Sequence, residues 1–235
     1  MNNSTLQIKV QQRLNKLASQ DYDNIHCWQV IEAFNKGQIE WCRRQLAGKN
    51  QTQQGGNQTT RRIDDLQILL KQVDLNMSLT PDGYYESEVI PSDYLEFEKV
   101  GATAIKDCCP DPKNLIVYLA EENNTGLYLR DELKKPNFEW AETFCTLVGN
   151  RIRIYAGDDF KIDSAFLMYY RKPIQIEIVN CANPYTGAIS TTDIVCEFKE
   201  DIVEVLIDCA AAILAGDVEA FNQYSRLQQT SETNN

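Results

Sequence analysis

Residues Glu197–Leu227 read EFKEDIVEVLIDCAAAILAGDVEAFNQYSRL, and the architecture expected of the whole chain follows from how that run is parsed. Ile202, Val205, Leu206, Cys209, Ile213 and Leu214 recur at helical spacing, which predicts an amphipathic helix with one buried stripe. Gly216-Asp217 predicts a break and a restart, with Asp217 capping a second helix. The tail Gln228–Asn235 is polar and is expected to fray. A stripe of this kind needs a partner, and the other end of the chain supplies one.

Residues 4–19 predict a helix capped by Ser4, with Leu6, Val10, Leu14 and Leu17 on one face. A polar turn follows from Ser19 to Asp23. Asp23 or Asn24 then caps a second helix carrying Ile25, Trp28, Ile31 and Phe34, with Gly37 placed to end it at the left-handed C′ position. A short third helix carries Ile39, Trp41, Cys42 and Leu46 and ends at Gly48. Both tryptophans are expected to pack in a core. Lys49–Thr60 has no apolar residue and two adjacent glycines, and reads as a flexible loop. Arg61–Val73 returns to helical spacing through Ile63, Leu66, Leu69 and Leu70, with Thr60 as its cap.

The texture changes after residue 75. Over Asp74–Asn180, prolines stand at 81, 91, 110, 112, 136 and 173, between turn signals such as Pro81-Asp-Gly. Short β-like runs lie between them: Tyr94–Val100, Leu115–Leu119, Gly126–Leu129, Arg151–Tyr155, Ser164–Tyr170 and Ile174–Val179. In the last, IQIEIV, the isoleucines alternate with Gln175, Glu177 and Val179 and so share one face of a strand. Phe138–Val148 is compatible with a strand or a short helix. The expected fold class is α+β, with N- and C-terminal helices forming one bundle around an inserted antiparallel β region, a small sandwich or barrel. The expected boundaries are 1–75 for the N-terminal helical segment, 76–190 for the β-rich insertion and 191–235 for the C-terminal helices.

The formal net charge is −11 over 235 residues, and it is unevenly placed. Residues 1–75 hold ten Lys/Arg against seven Asp/Glu, whereas residues 76–235 hold 13 against 27. An acidic body repels phosphate, which argues against tight nucleic-acid binding over most of the surface. No apolar run approaches the ~18 residues of a membrane span. The N-terminus lacks the pattern of a secretory signal, so the eight cysteines are expected to stay reduced, as small buried hydrophobes.

Chemical signatures are sparse. Gly157-Asp158-Asp159 matches a metal-binding triplet of some polymerases, but it sits where a hairpin turn calls for Gly and Asp. Asp107, Asp111 and the Cys108-Cys109 pair lie beside Pro110 and Pro112, which again reads as a turn. The single histidine, His26, is the one residue on which a Ser-His-Asp or Cys-His site would have to turn. No phosphate-binding loop or zinc motif is present. The expectation is therefore no enzyme, with no catalytic, cofactor-binding or metal-ligating residue and no cofactor.

One resemblance emerges from Phe166–Tyr224. FLMYYRKP (Phe166–Pro173) runs into IQIEIV, then a turn with Asn183-Pro-Tyr-Thr-Gly, then Cys196-Glu-Phe, then the acidic helix with DCAAAILAGDVEAFNQY. IEAFNKGQIEWCRRQLAG (Ile31–Gly48) adds to it. This order resembles virion proteins of tailed phages that form rings between portal and tail, most closely those of crAss-like phages. The resemblance implies a head-to-tail connector subunit in a homo-oligomeric ring, with a dodecamer as the suggested order. It implies portal and other neck or tail proteins as neighbours, transient non-sticking contact with translocating DNA, and no membrane partner. The implied location is the virion, after synthesis in the host bacterial cytoplasm. An acidic lumen would suit such a conduit, because like charges repel within about a Debye length, ~8 Å at physiological salt. Two other readings stay open: a cytosolic protein-binding adaptor with a β insertion, and a small hydrolase using acidic residues and a metal.

Overall fold

The computed structural model describes residues 1–15, 25–47, 64–107, 109–157, 160–217 and 229. The polar turn at 19–23, the loop at 49–60, Asp158-Asp159 and the second C-terminal helix all lie outside the described residues. The chain divides into two compact units, Met1–Ile68 with Pro173–Asn235, and Leu69–Lys172.

The first unit contains helices α1 (Asn3–Asn15) and α2 (Cys27–Ala47) from the N-terminal part and a long helix, Glu200–Asp217, near the C-terminus. Gly37 does not end a helix. It lies buried in the middle of α2, where a Cβ would stand 3.4 Å from the Cys209 side chain and 3.7 Å from the Ala210 backbone nitrogen. Glycine is there for close approach of two helices rather than for a left-handed cap. The helix 200–217 is likewise buried on more than the expected stripe. Val203, Ile207, Ala210 and Ala211 are buried along with Ile202 and Leu206, while Val205 and Ile213 are only half-buried. Small residues through Cys209-Ala-Ala-Ala let neighbours close on several sides of it.

The second unit is one eight-stranded sheet. Its strands are β1 (Leu70–Leu75), β2 (Met77–Leu79), β3 (Tyr84–Ser87), β4 (Tyr94–Lys106), β5 (Cys109–Leu119), β6 (Glu142–Val148), β7 (Arg151–Tyr155) and β8 (Lys161–Arg171), in the order β1-β8-β4-β5-β6-β7-β3-β2. The outermost strands, β1 and β2, are separated only by Asn76. The two ends of the sheet are thus one run of chain, and the sheet is nearly closed, which leaves little free edge. Seven neighbouring pairs hold it, six antiparallel and one, β5 with β6, parallel. The β5–β6 connection carries a 3₁₀ turn and helix α3 (Thr125–Arg130); the helix Glu200–Asp217 is accordingly α4.

The expected fold class is corrected here. The dominant element is this single, mixed, near-closed sheet, not a bundle of N- and C-terminal helices with an antiparallel insertion. Three local readings carried the error. Leu69 and Leu70 extended a helical pattern over Arg61–Val73, but Leu70–Leu75 pairs with β8 from Leu70↔Tyr170 to Leu75↔Ala165. Gly126–Leu129 is helical, because Tyr128 turns inward onto Phe144 while Leu127 and Leu129 face out. IQIEIV joins no named strand, for the reason given below.

Inside the sheet, Val100, Ala102, Ala104, Leu115, Cys145, Ile152, Ile154, Ala165, Leu167 and Tyr169 form one buried cluster. Burying each large member contributes about 1.5–3 kcal/mol. In β8 the alternation slips by one. Thr103 pairs with Ser164 and Ala104 with Ile162, so a bulge at Asp163 lets both Ile162 and Ala165 face inward. Opposite the core, Gly101 lies under the Phe166 ring, where a Cβ would stand 2.3 Å from a ring carbon. Gly149 and Asn150, with φ of 57° and 60°, make the two-residue turn that sets Val148 opposite Arg151.

Candidate functional site

Among the described residues, no catalytic constellation forms around those singled out in the sequence. His26 is exposed and stacks on Trp28 with ring centroids 6.4 Å apart. Trp28 is itself exposed, whereas Trp41 is buried edge-on to Phe198 at 5.3 Å. Asp107 follows β4 and meets Lys161 at 3.3 Å, and Cys109 opens β5 rather than a turn. Among the described residues no group of three or more His, Cys, Asp or Glu could hold a metal ion. No helix among them is long and apolar enough to cross a membrane.

Two built features stand out instead, one in each unit. In the helical unit, the segment 173–199 leading into α4 has almost no regular structure, yet it is closely held. Asn35 of α2, 1% exposed, works as a substitute strand. Its Oδ1 accepts from the Ile176 N–H at 2.9 Å, and its Nδ2 donates to the Ile176 carbonyl at 3.4 Å. Gln38 donates to Asn35 Oδ1 at 3.0 Å and to the Ile174 carbonyl at 3.5 Å. Asn3 of α1 donates to the carbonyls of Glu177 at 2.7 Å and Ile194 at 3.1 Å. This explains why IQIEIV is extended without joining a sheet: side-chain amides take the place of a ladder. Ile176 and Ile178 are buried, as alternation predicts, but Ile174 is exposed.

Cys27, at the start of α2, is disulfide-bonded to Cys181 in this segment, with Cα atoms 6.0 Å apart. The expectation of uniformly reduced cysteines is corrected at this pair. Cys42, Cys145 and Cys209 are buried outside any disulfide, as expected of small hydrophobes. Burial pushes the Cys42 and Cys145 thiols up to about 12, Cys42 with help from Glu197 and Cys196. Burial likewise pushes Cys196 up to about 11.

Polar contacts between α1 and α4 complete the helical unit. Arg13 Nε donates to Asp208 Oδ1 at 2.7 Å, and Lys9 pairs with Glu204. Asp208 is almost fully buried, so Arg13 neutralises a charge that could not otherwise stay there. An open cleft of about 320 Å³ lies alongside, lined by Asn2, Thr5, Lys9, Glu200 and Glu204.

In the sheet unit the notable feature is the β5–β6 connection. Leu133 is 71% exposed, Leu127 68% and Trp140 57%, with Ile116 and Tyr118 of β5 also exposed. The backbone around Trp140 is held in place. Phe138 is buried, and Lys113 Nζ donates to the carbonyls of Phe138 at 3.1 Å and Glu139 at 2.8 Å. Trp140 N–H donates to Asn137 Oδ1 at 3.0 Å, and Ala141 takes a left-handed φ of 56°. A left-handed non-glycine residue costs about 1–2 kcal/mol. The turn thus holds a strained residue next to an exposed tryptophan.

A third polar group ties the sheet unit together. Tyr169 donates to Asp93 Oδ1 at 2.8 Å, and Lys71 donates to Asp93 Oδ2 at 3.0 Å. Partial burial pushes the Asp93 carboxyl up, but the Tyr169 hydroxyl and Lys71 ammonium outweigh it and hold it below the usual range. Burial and then Asp93 push the Tyr169 phenol up.

No protein-family model matches the chain, and no curated protein does. Sequence reasoning assigned no site residue and so passed over Asn3, Asn35, Gln38, Cys181 and Trp140. Nothing local distinguishes a buried amide from a solvated one, because the pairing partners lie more than 130 residues away.

Proposed function

We propose that this chain is a non-enzymatic structural subunit that assembles with copies of itself into a ring in the neck of a tailed phage, between portal and tail. The observation that carries the reading is the exposure of Leu127, Leu133 and Trp140 within the one β5–β6 connection. Trp140 is held out on pinned, locally strained backbone, and Leu127 and Leu133 are exposed in the same connection, which suits a contact surface better than a solvated loop. The nearly closed sheet supports the same reading, since a subunit with little free strand edge associates through side chains rather than by open-ended strand pairing. The sequence resemblance over Phe166–Tyr224 supplies the phage context, with portal and tail proteins as neighbours. The acidic balance of residues 76–235 suits a wall past which DNA slides without sticking.

Native mass spectrometry of the full chain, alone and with the neighbouring neck proteins, tests the proposal. A closed oligomer of one size, together with the chain in stoichiometric multiple copies in purified virions, is the expected result. A monomer or dimer under all conditions and absence from virions would sink it and favour a free protein-binding adaptor.

A further inference from the structure

We propose that Cys27 and Cys181 form a redox latch that holds the outer half of the 173–199 segment against α2 when oxidised and releases it when reduced. The inner half of the segment does not need such a tie. Asn35, Gln38 and Asn3 already hold the backbone of Ile174, Ile176, Glu177 and Ile194. The outer half, from Val179 to Ile189, is bonded differently. Asn180 N–H donates to the Ser190 carbonyl at 2.9 Å, Ser190 N–H to the Cys181 carbonyl at 2.9 Å, and Asn183 N–H to the Ala188 carbonyl at 2.8 Å. Asn183 Oδ1 accepts from the Tyr185 N–H at 2.9 Å. These bonds shape the loop but do not attach it to α2. Among the described residues its ties to α2 are the disulfide and the Tyr185 phenol, which sits beside Glu32 and Asn35. Asn183 Nδ2 donating to Glu177 Oε1 at 3.0 Å and Val179 N–H donating to Asp193 Oδ1 at 2.9 Å join it only to the rest of the segment. The loop also carries exposed Val179, Tyr185 and Ile189, so its release changes where the helical unit holds these apolar side chains.

The two sulfurs differ in access. Cys181 is 1% exposed, while Cys27 is half-buried at the exposed start of α2. A small thiolate therefore attacks Cys27 Sγ. The Cys27–Cys181 bond breaks, its electron pair leaves on Cys181 Sγ, and that sulfur takes a proton from solvent. A second thiolate then attacks the mixed disulfide at its small-molecule sulfur, freeing the Cys27 thiolate and giving the small-molecule disulfide. The reverse needs a low-molecular-weight disulfide such as oxidised glutathione, which is reduced to two thiols as the protein pair is oxidised. Cys42, Cys145 and Cys209 are buried away from small thiols, and burial holds the half-buried Cys196 as a thiol rather than an attacking thiolate. The latch is independent of the ring reading, and applies equally to a free adaptor.

Peptide mapping and hydrogen exchange on the full chain test it. After equilibration with oxidised glutathione, a linked peptide joining Cys27 to Cys181 is expected. On reduction, amides of residues 179–190 exchange about tenfold faster or more, while those of Ile176 and of the sheet unit keep their rates. The Cys27→Ser/Cys181→Ser double variant shows the fast pattern with and without reductant. Should that variant fail to fold, the comparison of oxidised and reduced wild type decides alone. Absence of the linked peptide under oxidising conditions overturns the proposal. So does a linked peptide whose reduction leaves exchange at 179–190 unchanged, which would make the bond a static staple.

Discussion

The two units of this molecule reach order by different means. The sheet unit is held by a backbone ladder around an apolar cluster, with Ile152, Ile154 and Leu167 sealed inside. The helical unit adds single side-chain clamps to the apolar packing of its helices: three buried amides and a disulfide acting on an irregular segment, and a buried carboxylate with its arginine between α1 and α4. A ladder is redundant, because losing one side chain leaves its hydrogen bonds in place. A set of single side-chain clamps is not redundant, so each polar residue there carries more of the local order.

The largest expected effects test that contrast directly. Ile154→Ala opens a cavity in the sheet core and lowers the stability of that unit by about 3 kcal/mol, within the usual range for large-to-small core changes. Hydrogen exchange should show the loss over β6 and β7, with the backbone pairing retained. Asn35→Leu lowers stability by about 3 kcal/mol through the opposite route: it is apolar and fills the space, but strands the Ile176 N–H and carbonyl and Gln38. Exchange over 174–178 should rise well before global unfolding. If Asn35→Leu is neutral, the clamp account of the helical unit is wrong.

A smaller effect is expected at Arg13. Arg13→Met strands the buried Asp208 charge and costs about 2 kcal/mol, reduced by the partial exposure of the arginine. Adding Asp208→Leu should recover most of that loss, since an apolar pair replaces a desolvated ionic one. Chemical denaturation of the single and double variants checks the recovery.

The sheet unit has its own titratable clamp, whose sign can be worked out. Asp93 has a folded pKa below its unfolded value, so its contribution is present above about pH 4 and is lost as pH falls through the lowered folded value. Tyr169 is raised, so its contribution is present below about pH 10 and fades as pH climbs through the raised value. Thermal midpoints against pH should fall at both ends, and Asp93→Asn should flatten the acid limb. An unchanged acid limb in that variant would remove Asp93 from the account.

The same contrast explains what could be read in advance. The β character of Tyr94–Val100, Leu115–Leu119, Arg151–Tyr155 and Ser164–Tyr170 is visible because each is a short run rich in β-formers between turn signals. The sheet's closure was not, since it depends on Leu70–Leu75 and Met77–Leu79 pairing with strands far along the chain, and Leu69-Leu70 extended a helical pattern. Helical spacing likewise located 200–217 but not its burial on several sides, because Ala and Cys look the same at a packed position and at an exposed one. Gly37 reads as a stop signal in the sequence, and only the neighbouring Cys209 shows that it marks a close approach. The parts hardest to read were the single-residue clamps, whose partners are invisible until the chain is folded.

The smallest expected effect on stability bears most on function. Leu133 and Trp140 are mostly exposed, so Leu133→Ser with Trp140→Ser should change unfolding free energy by no more than about 0.5 kcal/mol. If the β5–β6 connection is a contact surface, the same double change should abolish the closed oligomer in native mass spectrometry while leaving the sheet's exchange pattern intact. The neighbouring Ala141→Gly relieves the left-handed backbone without removing the tryptophan, so it should keep the oligomer and leave stability equal or slightly raised. An oligomer that survives the double serine change would move the assembly surface elsewhere. A double variant that unfolds would show these side chains to be part of the sheet unit's own packing, against their exposure.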